Sequence, residues 1–434
     1  MNQTSTSHHQ KSAHLLAAGV AAALLTFTAG AGVTAAGADR SANGRHSRPD
    51  LRDGAVFSMS NAVAGNSVVA FHRADDGTLT PAGSFPTGGT GSGGFEDSAN
   101  GLVLGSANGE SAPNNFIDSA KLLFATNAGS DNISVFRVKR DGLKLVDVEP
   151  SNGMKPVSIT VHDGVAYVLN NGETVDGLVP PNCVEGAFPS ITGFTVSKSG
   201  NLTPIPGSTR MLSGDKFSGC AQVSFNPKGT VLVVTERTAH TEGQVPGDEG
   251  VINTYVVNDD GTLGEQQVFD ATGQGPFGFT FTKSGALLTT EQFDGTEGPG
   301  LGAAAGYDVG DDGSLTPSSP SVHNGGTDTC WFVVTDDGTL GFTTSFFGGG
   351  RISSYAVGPR GSLDLLIPDA DPDVHDGASD LSLSEDSRYL YQLNSLEGTI
   401  SGFKVGANGS LRRIDTEQAH APSSMAAPMG LAST

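Results

Sequence analysis

The chain has 434 residues, of which 61 are Gly and 22 are Pro, while only 16% are charged and 36% are hydrophobic. Much Gly with few charges and no collagen period is typical of many short strands joined by tight turns, and no stretch carries the sustained 3.6-residue period of a helical bundle or coiled coil. The formal net charge of −22 argues against a nucleic-acid partner, because phosphate binding needs clustered Lys and Arg.

The N-terminus has the pattern of an export signal. Residues 1–14 are polar, residues 15–27 form an apolar run, and small residues follow up to Ala38. This order predicts a secretory signal peptide over 1–38, and therefore a secreted or cell-envelope protein with no membrane span after cleavage. An uncleaved anchor over the same apolar run is the alternative. The polar segment 39–53 is predicted to be a disordered lead-in.

The remainder of the chain is a repeat with seven copies. In each copy an aromatic residue is followed by a Gly-containing turn and Leu, as in "INTYVVNDDGTL" and "ISSYAVGPRGSL", with period-two alternation on both sides. This pattern predicts a β-hairpin. The seven aromatic residues are Phe71, Phe136, Phe194, Tyr255, Tyr307, Tyr355 and Phe403.

A second hairpin lies between successive copies, as in "AQVSFNPKGTVLVVTE", so that each repeat supplies four strands. Four strands make a propeller blade and seven blades close into a ring. The chain ends with a lone inner-strand pattern at 427–433, and the mature chain begins with the other three strands of a blade. We therefore predict an all-β, seven-bladed β-propeller over 54–434, closed by N- and C-terminal strands in one blade and monomeric.

Long connections are predicted on one face of the ring. With strands A to D counted from the innermost, the A–B and C–D turns lie on one face and the B–C and D–A connections on the other. The long segments all belong to the second type, which we call the loop face: 86–100, 171–190, 207–219, 237–250 and 292–304. Binding residues favour loops on a rigid scaffold, so this face is predicted to bind a small-molecule or protein ligand.

Two carboxylates stand out at the ends of the B strands. Glu236 and Glu291 occupy this position in neighbouring blades, where the other five blades have Asn or Ser. They are candidates for an acid/base pair or for ligands of a hard cation. Two solvated strand ends without any coupling are the alternative.

Four further residues are catalytic candidates on the loop face. His323 and His375 lie in successive D–A connections, and Arg237 and His240 follow Glu236. A histidine titrates near neutral pH and can serve as a general base, and an arginine can stabilise an oxyanion. The alternative is that these are ordinary loop residues.

Metal and disulfide candidates are few. Asp369, Asp371 and Asp373 are spaced as in a calcium loop, but the segment lacks the required Gly and flanking helices, so no cofactor is predicted and Ca²⁺ is a weak candidate.

Cys183 and Cys220 lie in adjoining connections of the loop face and are predicted to form a disulfide in the oxidising compartment. Cys330 is then a buried free thiol.

The turns "F-x-V-x-x-D-G-x-L-T-P", the "T-G-G" and "G-Q-G-P" loops and the "S-x-D-x-R-Y-L-Y-x-L-N" blade resemble those of the lactonase-type seven-bladed propellers over residues 55–434. That family includes the propeller 6-phosphogluconolactonases and the 3-carboxymuconate lactonizing enzymes. The resemblance implies metal-independent opening or formation of a lactone by His, Arg and Glu on the loop face. Inner strands of enzymatic members often open with Pro-His, a pair that no inner strand has here.

Two functions follow as hypotheses. The first is a secreted lactonase-like hydrolase of a lactone or related ester, using Glu236, Glu291 and a loop histidine. The second is a non-catalytic extracellular or envelope propeller that binds a ligand or protein through the same face.

Overall fold

The computed structural model describes residues 50–106, 122–172, 186–213, 217–241, 243–244, 249–293, 295–371, 375, 377–424 and 428–434. The predicted signal peptide lies outside these residues. Within the described residues the only helices are two single 3₁₀ turns, Gly295–Glu297 and Pro359–Gly361. No helix in this part of the chain is both long and apolar enough to cross a membrane.

The strands form seven antiparallel sheets, and each sheet is a blade of a propeller with four main strands; the sheet of blade 3 has a short fifth strand. The predicted fold class is confirmed. From the innermost to the outermost strand, the blades are: blade 1, Met429–Ser433, Ala55–Met59, Ser67–Arg73, Leu79–Pro86; blade 2, Leu102–Gly105, Leu122–Asn127, Asn132–Lys139, Gly142–Pro150; blade 3, Pro156–His162, Val165–Asn170, Ser190–Val196, Leu202–Pro204; blade 4, Cys220–Phe225, Val231–Glu236, Val251–Val257, Leu263–Asp270; blade 5, Pro276–Phe281, Leu287–Glu291, Ala303–Val309, Leu315–His323; blade 6, Thr327–Val334, Leu340–Phe347, Arg351–Val357, Leu363–Ile367; blade 7, Ala378–Leu383, Tyr389–Asn394, Thr399–Val405, Leu411–Gln418.

The repeated aromatic residues form the packing between blades. All seven lie on the third strand of a blade and are at most 1% exposed, as the repeat predicts. The outer strands alternate buried and exposed residues, whereas the inner strands are buried on both sides. This gradient arises because inner strands pack between two neighbouring blades and outer strands have one face in solvent.

Both chain ends contribute to blade 1. Met429–Ser433 pairs with Ala55–Met59, and the N–H of Ala55 donates to Oγ1 of Thr434 at 2.8 Å. Arg73 donates to the carbonyl of Thr434 at 3.0 Å. Before the first strand, residues 50–53 form a turn in which Leu51 is fully buried. Within the last four residues of the predicted lead-in, Leu51 is therefore packed on the ring, while Arg52 and Asp53 are exposed.

Two connections differ from the expected lengths. The A–B connection of blade 2 spans 106–121, although the repeat led us to expect only tight A–B turns; residues 107–121 lie outside the described part of the chain. The D–A connection 207–219 contains a two-residue strand, Arg210–Met211, which pairs with the third strand of blade 3. Neither feature could be predicted from the sequence, because irregular segments and two-residue strands lack a periodic pattern of hydrophobic residues.

Candidate functional site

Glu236 and Glu291 end the B strands of blades 4 and 5, as predicted. Each carboxylate is hydrogen-bonded to the D–A connection that precedes its blade. Glu236 is fully buried and accepts hydrogen bonds from the Ser213 N–H (3.0 Å), the Ser213 hydroxyl (2.9 Å), Asn253 Nδ2 (2.7 Å) and the Ser218 hydroxyl. Burial raises the pKa of Glu236, and the donors oppose this shift. These bonds join the D–A connection to strands B and C of blade 4.

Glu291 occupies the equivalent place in blade 5. It is fully buried and accepts a hydrogen bond from the Thr272 hydroxyl at 2.8 Å, again from the preceding D–A connection. Burial raises its pKa, and the Ser321 hydroxyl is the main opposing contribution. Among the described residues no hydrogen bond joins Glu236 to Glu291. Both carboxylates anchor connections to their blades in this geometry.

Arg237 holds a segment that closes the central channel. Residues 95–100, which we call the plug, belong to the D–A connection between blades 1 and 2. The contacts of the plug reach blades 3, 4 and 6: the Ser98 hydroxyl donates to the Val157 carbonyl (3.1 Å), the Ala99 N–H donates to the Ala221 carbonyl (3.0 Å), and the rings of Phe95 and Phe346 are 4.6 Å apart. A six-residue segment reaches these separate blades only by lying across the ring axis.

Two buried ion pairs fix the plug. Arg237 pairs with Asp97, donates to Oε1 of Gln292 at 3.0 Å, and lies over the Phe277 ring at 5.5 Å. Lys155 Nζ lies 3.3 Å from Oε2 of the neighbouring Glu96, with both side chains at most 5% exposed. Arg237 is therefore engaged in contacts with the plug, with Gln292 and with the Phe277 ring.

The space beneath the plug is too small for a substrate. A cavity lined by Asn100, Trp331 and Asp380 has a volume of about 20 Å³, measured as the space open to the centre of a water molecule. On this measure one water molecule needs roughly 10–15 Å³. This cavity therefore cannot hold a lactone-sized ligand.

Buried acids surround this channel. Burial raises the pKa of Asp380 to about 7, and its Oδ2 accepts a hydrogen bond from the Gly430 N–H at 3.1 Å. Burial and the nearby Asp97 raise the pKa of Asp328, which precedes the buried Cys330. Both acids hold their protons more tightly in the folded chain than in the unfolded one, where an Asp has a pKa near 3.9.

This difference predicts a pH-dependent stability. A group with a raised folded-state pKa contributes stability that is present below about pH 4 and is lost as the pH rises through 7. We expect the Tm of the wild type to fall from pH 6.5 to 8.5, and the fall to be smaller in D380N, whose amide oxygen still accepts from Gly430. The exposed E265Q variant is the control. Identical pH slopes in wild type and D380N would refute the assignment.

His420 has the opposite effect on stability at lower pH. Burial lowers the pKa of His420 to about 4. A histidine that stays neutral when folded contributes stability that is lost as the pH falls below about 6.5, the opposite direction to Asp380. Measurements above pH 6.5 separate the two.

His240 and His323 lie apart on the loop face. His240 is exposed and its Nε2 is 3.4 Å from Oε1 of Glu249. Nδ1 of His323 lies 2.7 Å from the Leu301 carbonyl, and its ring is 5.0 Å from the ring of Phe293. Within blade 5, His323 interacts electrostatically with Glu291 and opposes the rise of the pKa of that carboxyl. The grouping of both glutamates with one of these histidines stays a prediction.

His375 has a different environment. Its Nδ1 lies 3.1 Å from Oε2 of Glu397, which is in the B–C turn of blade 7. Its Nε2 is buried and has no hydrogen-bond partner among the described residues. A histidine fixed through Nδ1 by a carboxylate presents Nε2 as a base. Glu397 was not a candidate in the sequence analysis, because it lies in a short turn 22 residues away.

A glycine turn packs against His375. The His375 N–H donates to the Gly349 carbonyl at 3.0 Å. Gly348, Gly349 and Gly350 all have positive φ, of 76°, 98° and 65°. A Cβ at Gly350 would lie 1.9 Å from the His375 carbonyl oxygen, so this close approach requires glycine. Arg351 follows, 40% exposed at its side chain, with Nε 3.9 Å from Oδ2 of Asp369.

The weak calcium candidates do not form a cluster among the described residues. Both oxygens of Asp371 accept from Arg413 Nη2, at 3.0 and 2.9 Å. Asp373 lies outside the described part of the chain. No group of three His, Cys, Asp or Glu within that part could hold a metal ion.

The predicted disulfide is not tested, because Cys183 also lies outside the described residues. Its proposed partner Cys220 is buried at the start of the inner strand of blade 4. Cys330 is a buried free thiol, whose pKa burial raises well above the usual range.

Comparison with known proteins identifies relatives by fold. No protein-family model matches the chain, and no curated protein matches it in sequence. A 6-phosphogluconolactonase candidate from Bacteroides uniformis has a TM-score of 0.62 and 16% identity, covering 88% of this chain and 100% of the other. A second candidate, from Bacteroides fragilis, has a TM-score of 0.59 and 14% identity, covering 88% and 98%. A protein from Lactobacillus plantarum has a TM-score of 0.60, with 14% identity and the same coverage. The chain therefore shares its seven-bladed propeller fold with these 6-phosphogluconolactonase-like proteins.

Proposed function

We propose that this chain is a secreted hydrolase of a lactone or related ester, and that His375 and Glu397 on the loop face carry out the reaction. The observation that carries the proposal is the 3.1 Å contact between His375 Nδ1 and Glu397, which leaves Nε2 without a partner among the described residues. The fold relatives are consistent with lactone chemistry, but a fold alone does not assign an activity.

The proposed chemistry is general-base hydrolysis. Glu397 accepts a hydrogen bond from Nδ1–H, which orients the ring and fixes its tautomer, and Nε2 removes a proton from the attacking water. Water adds to the lactone carbonyl, the ring C–O bond breaks, and the histidine returns the proton to the leaving oxygen. The backbone N–H groups of the 348–350 turn donate to no described residue and, with Arg351, are suited to a developing oxyanion. No metal participates.

Access to His375 is a condition of this mechanism. Nε2 is buried, so a substrate reaches it only after the surrounding loop shifts. A shift of this kind is common where loops cover a reacting group.

The test is a panel of lactones and aryl esters assayed on the purified protein with and without EDTA. We expect turnover that EDTA does not change, a loss of at least ~100-fold in kcat in H375N, and a smaller loss in E397Q. Thermal unfolding of each variant checks that folding is intact. H240N and H323N serve as comparisons, and a loss of activity confined to either of them would move the base to that histidine.

A binding role without catalysis is the second candidate. The plug closes the channel, and the two glutamates predicted to react are held in structural hydrogen bonds. Absence of turnover across the panel, together with saturable binding of a ligand to the loop face, would favour this role.

A further inference from the structure

The cavity beneath the plug contains two nitrogen donors without partners. Trp331 and Asn100 both line the cavity. Trp331 Nε1 and Asn100 Nδ2 are buried, and neither has a hydrogen-bond partner among the described residues. Trp331 as a whole is only 4% exposed. Buried donors of this kind are nearly always satisfied, by protein or by an ordered water molecule.

The same cavity contains a matching acceptor. Asp380 lines the cavity from the inner strand of blade 7. Its Oδ2 accepts from the Gly430 N–H in the closing strand, and the backbone N–H of Asp380 itself also donates to this carboxyl group. Residues that carry two donors without partners and one acceptor thus line a space of about 20 Å³.

We propose that this cavity is a specific site for one ordered water molecule, which accepts hydrogen bonds from Trp331 and Asn100 and donates to Asp380. The volume exceeds the roughly 10–15 Å³ that one water needs, and three polar partners are within the usual range for buried water. A small cation suits the site less well, because two of its three polar groups present N–H hydrogens.

This water would join three separate parts of the ring. Asn100 belongs to the plug, Trp331 to the inner strand of blade 6, and Asp380 to the inner strand of blade 7, which also holds the closing strand through Gly430. The site is independent of the proposed lactonase activity, since none of its residues takes part in the reaction.

The first experiment is a crystal structure at a resolution that resolves water, with a second crystal soaked in rubidium chloride. We expect one peak within 2.7–3.2 Å of Trp331 Nε1 and of an Asp380 oxygen, without anomalous signal from rubidium. An empty cavity, or a rubidium ion at that position, would overturn the proposal.

The second experiment works in solution, because Trp331 is the only tryptophan of the chain. A cross-peak between its indole N–H and a long-lived water is expected in the wild type and in D380N. The A432V variant adds two methyl groups to the cavity lining and should abolish the cross-peak. The control A82V changes a residue on the outermost strand of blade 1 and should keep it. If A432V does not fold, N100L is the alternative, because it removes one donor and places a larger apolar side chain in the cavity. A cross-peak that persists in whichever of these two variants folds contradicts the assignment.

Discussion

Deletion of residues 428–434 is expected to abolish cooperative unfolding of the propeller. The deletion removes the strand Met429–Ser433, whose five residues are all buried, and leaves the edge of Ala55–Met59 unpaired. Each fully buried Leu or Met contributes about 1.5–3 kcal/mol, whereas the net stability of a domain is about 5–15 kcal/mol. Loss of Met429 and Leu431, about 3–6 kcal/mol together, with the ladder hydrogen bonds, is therefore comparable to the whole stability.

Thermal and denaturant unfolding of the truncated chain measure this effect. The matched control is a circular permutant that joins Thr434 to Gly54 through a short linker and reopens the chain between Asp259 and Asp260, in an exposed turn. The permutant keeps every strand. A short linker suffices because the two ends are adjacent: the Thr434 N–H donates to the Ala55 carbonyl at 3.0 Å. The permutant should unfold cooperatively. A truncated chain that melts at the full-length Tm would show that the closing strand contributes little.

The substitution R237A is expected to destabilise the protein by about 3–5 kcal/mol, the usual cost of removing one partner from a buried ion pair. It removes three interactions of Arg237: the ion pair with Asp97, the hydrogen bond donated to Gln292, and the contact with the Phe277 ring. It also removes a positive charge that lowers the pKa of Asp328. Chemical denaturation at pH 7 measures the change in free energy of unfolding.

A double-mutant cycle identifies the source of the loss. Combining R237M with D97N removes both charges, so the double variant should be more stable than the sum of the single losses predicts. The control is R388A, which breaks an exposed pair with Asp386 and is expected to leave the free energy of unfolding almost unchanged. A similarly small change in R237A would mean that the plug is not held by its ion pair.

The fold was predictable because its signals are local. Period-two alternation and the turn residues of each hairpin lie within about a dozen residues, and the seven aromatics recur at the same strand. Ring closure followed from counting strands at the two ends. The register was also accurate enough to align Glu236 with Glu291, which both end a second strand.

The environment of the candidate residues was not predictable, because it depends on segments that approach from elsewhere in the chain. Ser213 and Asn253 donate hydrogen bonds to Glu236, so this carboxylate holds the D–A connection to the blade. The plug has no periodic pattern, and its partners lie in blades 3, 4 and 6. His375 was a candidate, but its partner Glu397 belongs to the next blade.

Closure by the final strand has a consequence for biosynthesis. Three strands of blade 1 are translated early, and the fourth, Met429–Ser433, follows only after the strands of the six other blades. At 5–20 residues per second, roughly 20–75 s separate Ala55–Met59 from its inner neighbour. During that interval an apolar strand edge is available to other chains. The nascent chain is therefore expected to keep this edge exposed until Met429–Ser433 has been translated, and a product terminated before that strand stays open to proteolysis.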